Sequence, residues 1–168
     1  QFFTGSRGTE LTSENSKIVE FMNSSSSYYR GNTKTDETAR YNFYFSGAGR
    51  PNYMSGYFSQ SNSFPLVSYA ENILTLAESG LRSKNFYTGL SHLNEFRGYM
   101  SGGGYLNNGY DTLSMNYNPY IQSDFEVGGM ENVDNISKED ALLREILEER
   151  YITFYGQIEG FNDVRRTR

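Results

Sequence analysis

The chain has 168 residues, enough for one ordinary domain whose core can bury roughly 70% of the unfolded surface. Only 36% of its residues are hydrophobic, 16% are aromatic (15 Tyr, 12 Phe, no Trp), and the formal net charge is −5. An acidic chain without a basic block lacks the footprint of a nucleic-acid binder, zero Cys excludes disulfides and thiolate chemistry, and a lone His, His92, excludes an H-E-x-x-H zinc motif.

Residues 1–64 are dense in Gly, Ser, Asn and Thr, with a Ser24-Ser25-Ser26-Ser27 run that competes for backbone hydrogen bonds and favours loop. Over residues 40–45, Tyr41, Phe43 and Phe45 alternate with Arg40, Asn42 and Tyr44, a period of two that predicts a short strand or hairpin stopped by Gly47, Gly49 and Pro51. Residues 52–64 read as an ordered polar-aromatic loop.

The pattern then turns helical. Pro65 suits a helix start, and Leu66, Val67, Ala70, Ile73, Leu74, Ala77 and Leu81 predict about four amphipathic turns. A second helix is expected from Tyr87 through Leu90, Leu93, Phe96, Arg97 and Met100, stopped by Gly102-Gly103-Gly104. Joined by a short polar turn, the two predict an antiparallel, tetratricopeptide-like hairpin over 65–101. Residues 102–136 read as a long loop, with turn signals at Asn107-Asn108-Gly109 and Asn118-Pro119. Ser137 and Asp140 then mark a helix start. Leu142, Leu143, Ile146, Leu147, Tyr151 and Phe154 form its expected apolar stripe, and Arg144, Glu145, Glu148, Glu149 and Arg150 its expected wet side. Gly156 or Gly160 ends it, and a turn with a basic cluster follows to residue 168. The fold class is therefore mainly α: a helical hairpin plus a long C-terminal helix, with extensive irregular loops.

Candidate chemistry is sparse. Glu71 with Glu78, and Glu145 with Glu149, share helix faces and could imitate the carboxylate pair of a glycoside hydrolase, against the simpler reading of solvated or ion-paired faces. Glu78 is a candidate partner for Arg97. His92 has no Ser or Asp partner in sight, and Asp111, Asp124 and Asp134 lack calcium-loop spacing, so neither a catalytic His nor a metal is expected. Asp163 before Arg165-Arg166 predicts an ion-pair lock on the chain turn. The aromatics are the main functional hint: loop tyrosines offer flat apolar faces with polar rims, as sugar rings require. Tyr53, Tyr57, Tyr105, Tyr110, Tyr117 and Tyr120 are the candidate ligand-binding residues. No apolar run is long enough to span a bilayer. Gln1 is not an initiator Met, and the chain is expected to be a processed or partial one.

Three segments, taken together, resemble the SusD/RagB family of outer-membrane nutrient-binding lipoproteins. Tyr69-Ala70-Glu71-Asn72-Ile73-Leu74-Thr75-Leu76-Ala77-Glu78 is similar to the family's Y-A-E-x-x-L-x-x-A-E helix. Leu93-Asn94-Glu95-Phe96-Arg97 is similar to its L-N-x-x-R. Ile146-Leu147-Glu148-Glu149-Arg150 followed by Phe161-Asn162-Asp163-Val164-Arg165-Arg166 is similar to its I-x-x-E-R and F-x-D-x-R-R. Residues 36–40 are also compared with a D-x-R that precedes a strand in the family. Thr153 stands where many members carry Glu. The resemblance implies the C-terminal portion of such a protein, at the cell surface and held to the outer membrane by a lipid anchor outside this chain. It implies a SusC-like TonB-dependent transporter barrel as partner, an oligosaccharide or peptide as ligand, no cofactor and no reaction chemistry. The alternatives are a hydrolase using the paired Glu residues and a helical-repeat scaffold that binds protein.

Overall fold

The computed structural model describes residues 13–47, 49–63, 65–106, 109 and 115–166. Tyr110, Asp111, the Asn107-Asn108 turn signal and the last two residues of the basic cluster lie outside the described residues. In chain order the elements are α1 (Lys17–Met22), β1 (Thr35–Asp36), α2 (Thr38–Tyr44), β2 (Phe45–Ser46), β3 (Arg50–Pro51), α3 (Tyr69–Arg82), α4 (Phe86–Ser101), β4 (Asn116–Tyr117), a 3-10 turn (Gln122–Asp124), α5 (Lys138–Thr153) and α6 (Ile158–Arg166). The chain is mainly helical with a small antiparallel sheet, and it divides into two compact units, 1–64 with 106–115 and 65–105 with 116–168.

In the first unit the expected strand over 40–45 is instead the short helix α2. Its Ala39, Arg40, Phe43 and Tyr44 are all buried, a spacing of one, three and four that a strand could not bury on one face. The polar side chain that seemed to face solvent, Arg40, is sealed by Glu37, whose carboxylate accepts from Arg40 Nε at 2.7 Å and from Arg30 Nη1 at 2.7 Å. Strand character survives only in β2, paired with β3 as Phe45↔Pro51 and Ser46↔Arg50 across a tight turn where Gly47 and Gly49 take positive φ.

The second unit is built on the α3–α4 hairpin. Helix α3 begins at Tyr69 rather than near Pro65, because Ser68 is the N-cap and its side chain accepts from the Glu71 amide at 3.0 Å. Leu66 and Val67 therefore lie outside the helix and are exposed. The predicted stripe from Ala70 to Leu81 is buried, as are Leu90, Leu93, Phe96, Arg97 and Met100 of α4. Asn85 caps α4, and the helices close antiparallel, with Gly80 and Leu81 beside Thr88 and Gly89 at one end and Tyr69 beside Tyr99 at the other. Helix α5, capped by Ser137 on the Asp140 amide, docks against this hairpin.

The orientation of α5 departs from its hydropathy pattern. Glu145, Glu149 and Arg150, expected on the wet side, are buried with Leu142, Ile146 and Ile152, while Leu143, Leu147 and Tyr151 are half-buried. The cause is polar pairing: the hairpin and α6 offer Glu145 and Arg150 partners and Thr153 donates to Glu149, so burying them costs less than exposing the apolar seam they flank. Past Gly156 (φ 75°), a further nine-residue helix, α6, stands where a turn was expected.

Candidate functional site

Of the four carboxylates proposed for hydrolysis, Glu78, Glu145 and Glu149 are buried and occupied, while Glu71 is half-buried on α3. Glu78 is buried and accepts from Arg82 Nε at 2.7 Å and from Arg166 at 2.6 and 2.9 Å, with Arg150 Nε at 3.6 Å. Burial alone would raise its pKa, but the hydrogen bonds from Arg166 and Arg82 and the charges of Arg166 and Arg150 outweigh this and hold the carboxyl below its ordinary value. Its partners are thus Arg82, Arg150 and Arg166, not Arg97. The expected lock at Asp163 is present: Arg150 grips it with Nε and Nη2 at 2.7 and 2.9 Å, and Arg166 adds a bond at 3.1 Å. Arg150 also donates to Thr75 at 3.0 Å, so the network ties α3, α5 and α6 together. Glu145 lies 3.9 Å from the buried Arg97, and the fully buried Glu149 accepts from Thr153 at 3.4 Å.

Arg97 and Asn94 do a second structural job. Asn94 donates to the Tyr120 carbonyl and accepts from the Tyr120 amide, both at 2.8 Å, imitating a strand partner. Arg97 Nε donates to the Asn118 carbonyl at 2.8 Å, and its guanidinium lies 3.8 Å over the Tyr120 ring. Asn132, fully buried, holds the rest of the loop through the carbonyls of Phe125 and Ile136 and the Ile136 amide.

These contacts correct two of the six candidate tyrosines. Tyr117 and Tyr120 are 1% and 2% exposed, and the Tyr120 hydroxyl donates to Glu131 at 2.6 Å, so neither ring faces a ligand. An arginine under the rings and an asparagine clasping the backbone drew this apparently polar loop inward. Tyr57 is half-buried among Phe43, Tyr44 and Phe58, with ring centroids 5.0–5.8 Å apart. Tyr53 is 40% exposed. Tyr105 is half-buried in the second unit.

Tyr105 leads to the best candidate site, two of whose tyrosines were not anticipated. Its phenol is close enough to Tyr99 to add to the upward pKa shift that burial gives that residue. Tyr99 meets Tyr69 in a T-shaped contact at 5.0 Å. Tyr69 is half-exposed, and its hydroxyl donates to Glu95 Oε1 at 2.8 Å, a bond that pushes the Tyr69 phenol up. His92 Nδ1 lies 3.3 Å from Glu95 Oε2. The result is a group of phenols flanked by a carboxylate and an imidazole, on the two helices of the hairpin and the turn that follows α4. The available signal was spacing: His92, Glu95 and Tyr99 lie three and four apart, on one face of α4 opposite its buried residues.

A second feature lies at the C-terminal end. Tyr151, Phe154, Tyr155, Phe161 and Val164 line a groove of about 230 Å³ between the end of α5 and α6, and Ile158, Phe161 and Val164 are exposed along α6. Among the described residues no group of three or more His, Asp or Glu could hold a metal ion, and no helix is long and apolar enough to cross a membrane. No family model, curated protein or solved structure matches the chain.

Proposed function

We propose that the chain is a non-catalytic nutrient-binding module of SusD/RagB type, with a tetratricopeptide-like hairpin, that captures oligosaccharide at the outer-membrane surface and hands it to a SusC-like TonB-dependent transporter. The observation that carries this reading is the half-exposed Tyr69 ring, braced by Tyr99, with Glu95 and His92 beside it: an apolar ring face with hydrogen-bonding groups at its edge. The alternative hydrolase draws no support from Glu78, Glu145 or Glu149, whose carboxyls are buried and committed to neighbouring side chains. The motif residues themselves act structurally: Glu78, Arg150, Asp163 and Arg166 form one ion-pair network, and Asn94 and Arg97 fasten the loop at 116–121.

Binding through ring stacking and a few hydrogen bonds corresponds to micromolar to millimolar affinity, about −4 to −8 kcal/mol. Isothermal titration against neutral oligosaccharides and peptides tests the proposal. Saturable binding of an oligosaccharide, weakened roughly tenfold by Tyr69→Ala with the fold intact, is the expected result. A preparation that binds no sugar, or one whose reducing-sugar release disappears in Glu78→Gln or Glu149→Gln, would count against it. The exposed apolar stripe of α6 favours a second role, contact with a protein partner, because such a stripe on a charged helix is costly in water.

A further inference from the structure

The same site carries information about ligand charge. Glu95 is half-exposed, and its two oxygens are met by Tyr69 and His92; among the described residues no Lys or Arg pairs with it. Both neighbours donate hydrogen bonds while leaving the negative charge in place whenever His92 is neutral. The carboxylate therefore stands uncompensated beside the aromatic group. The half-exposed Tyr69 ring, held in edge contact by Tyr99, offers beside this carboxylate a face that carries the negative side of its quadrupole. The carboxylate and this ring face both favour positive charge and both disfavour a uronate or sulfate group.

We infer that this patch selects an amino sugar, a pyranose bearing a free ammonium group, over N-acetylated or acidic sugars. This rests on the oligosaccharide-binding reading and narrows it. The sugar's C–H face stacks on Tyr69, its ammonium pairs with Glu95, and its hydroxyls meet His92. At an exposed site each charge contribution is worth only a few-fold, so the combined preference is about tenfold.

The experiment is isothermal titration of the full chain at about pH 7 and fixed ionic strength, where a substantial share of such amines carries a proton. The probes are glucosamine oligomers, the same oligomers N-acetylated, galacturonate oligomers and a lysine-containing peptide. The expected result is about tenfold tighter binding of the free-amine oligomer than of its N-acetylated form, with galacturonate weakest. Glu95→Gln should abolish that preference, while Glu139→Gln, the same charge change at an exposed site on α5, should preserve it; that contrast separates a local site from general attraction to an acidic protein. Equal affinity for amine and N-acetyl forms, a preference that survives Glu95→Gln, or tighter binding of the lysine peptide would overturn the inference while a neutral sugar that still binds leaves the proposed function standing. Failure of every oligosaccharide to bind would overturn both.

Discussion

Asn94 shows how one side chain can define a loop. Its amide pairs with both backbone groups of Tyr120, and Tyr120 in turn stacks on Arg97. Removing it strands a backbone N–H and C=O in a part-buried position, at a cost of about 2 kcal/mol. Asn94→Ala is thus expected to lower stability in urea unfolding by that amount and to speed hydrogen exchange at the Tyr120 amide. An unchanged exchange rate there would mean the clasp is incidental. Among single residues, the sequence made Leu93, Phe96 and Met100 legible as core because their spacing is helical. It left Arg40, Glu145 and Arg150 misread as solvent-facing, because a charge in the sequence reveals nothing about whether a counter-charge waits across the interface.

At the scale of elements, the α3–α4 hairpin turns on close approach. A Cβ added to Gly89 would lie 2.8 Å from Leu81 Cβ and 3.2 Å from the Ala77 carbonyl oxygen, whereas one added to Gly98 on the same helix meets nothing within 4 Å. Helix propensity favours Ala over Gly by about 1 kcal/mol at both positions. Overpacking at the crossing costs about 1–3 kcal/mol and should win at Gly89. Thermal unfolding is therefore expected to shift in opposite directions, down for Gly89→Ala and up for Gly98→Ala. Shifts of the same sign would show that the helices can separate freely. The starts of α3 and α5 follow from Ser68 and Ser137, but α2 was missed because three alternating aromatics imitate a strand when the buried partners of the intervening positions are unknown. Helix α6 was missed for a related reason: its two ion-pairing residues, Asp163 and Arg166, are three apart on a helix, and their partners lie on α3 and α5.

For the molecule as a whole, the Glu78 network links stability to pH. The Glu78 pKa is lowered in the folded state, so its contribution is fully present above the ordinary glutamate value, about 4.3, and is lost as pH falls through the lower folded-state value. Glu78→Gln is expected to cost roughly 2 kcal/mol at neutral pH, less than a fully enclosed pair would, since Arg82 and Arg166 are half-exposed and Arg150 keeps Asp163. The variant's stability should also decline less steeply below about pH 4.3 than the parent's. Parallel acid declines in chemical denaturation would remove Glu78 from the account.

By itself the sequence determined that this is a mainly helical chain, where the hairpin lies and where α5 begins. Those properties are local: periodicity, capping and glycine punctuation act within a few turns of chain. Only the tertiary structure decided which tyrosines stay wet and which carboxylates are consumed. Tyr120 and Glu145 look like surface residues until Arg97 meets both, and Tyr69 gains its place beside Glu95 only when two helices fold back on one another. Burial of a polar group depends on a partner, and the partners here stand 26 residues away for Tyr69 and 88 for Glu78 with Arg166.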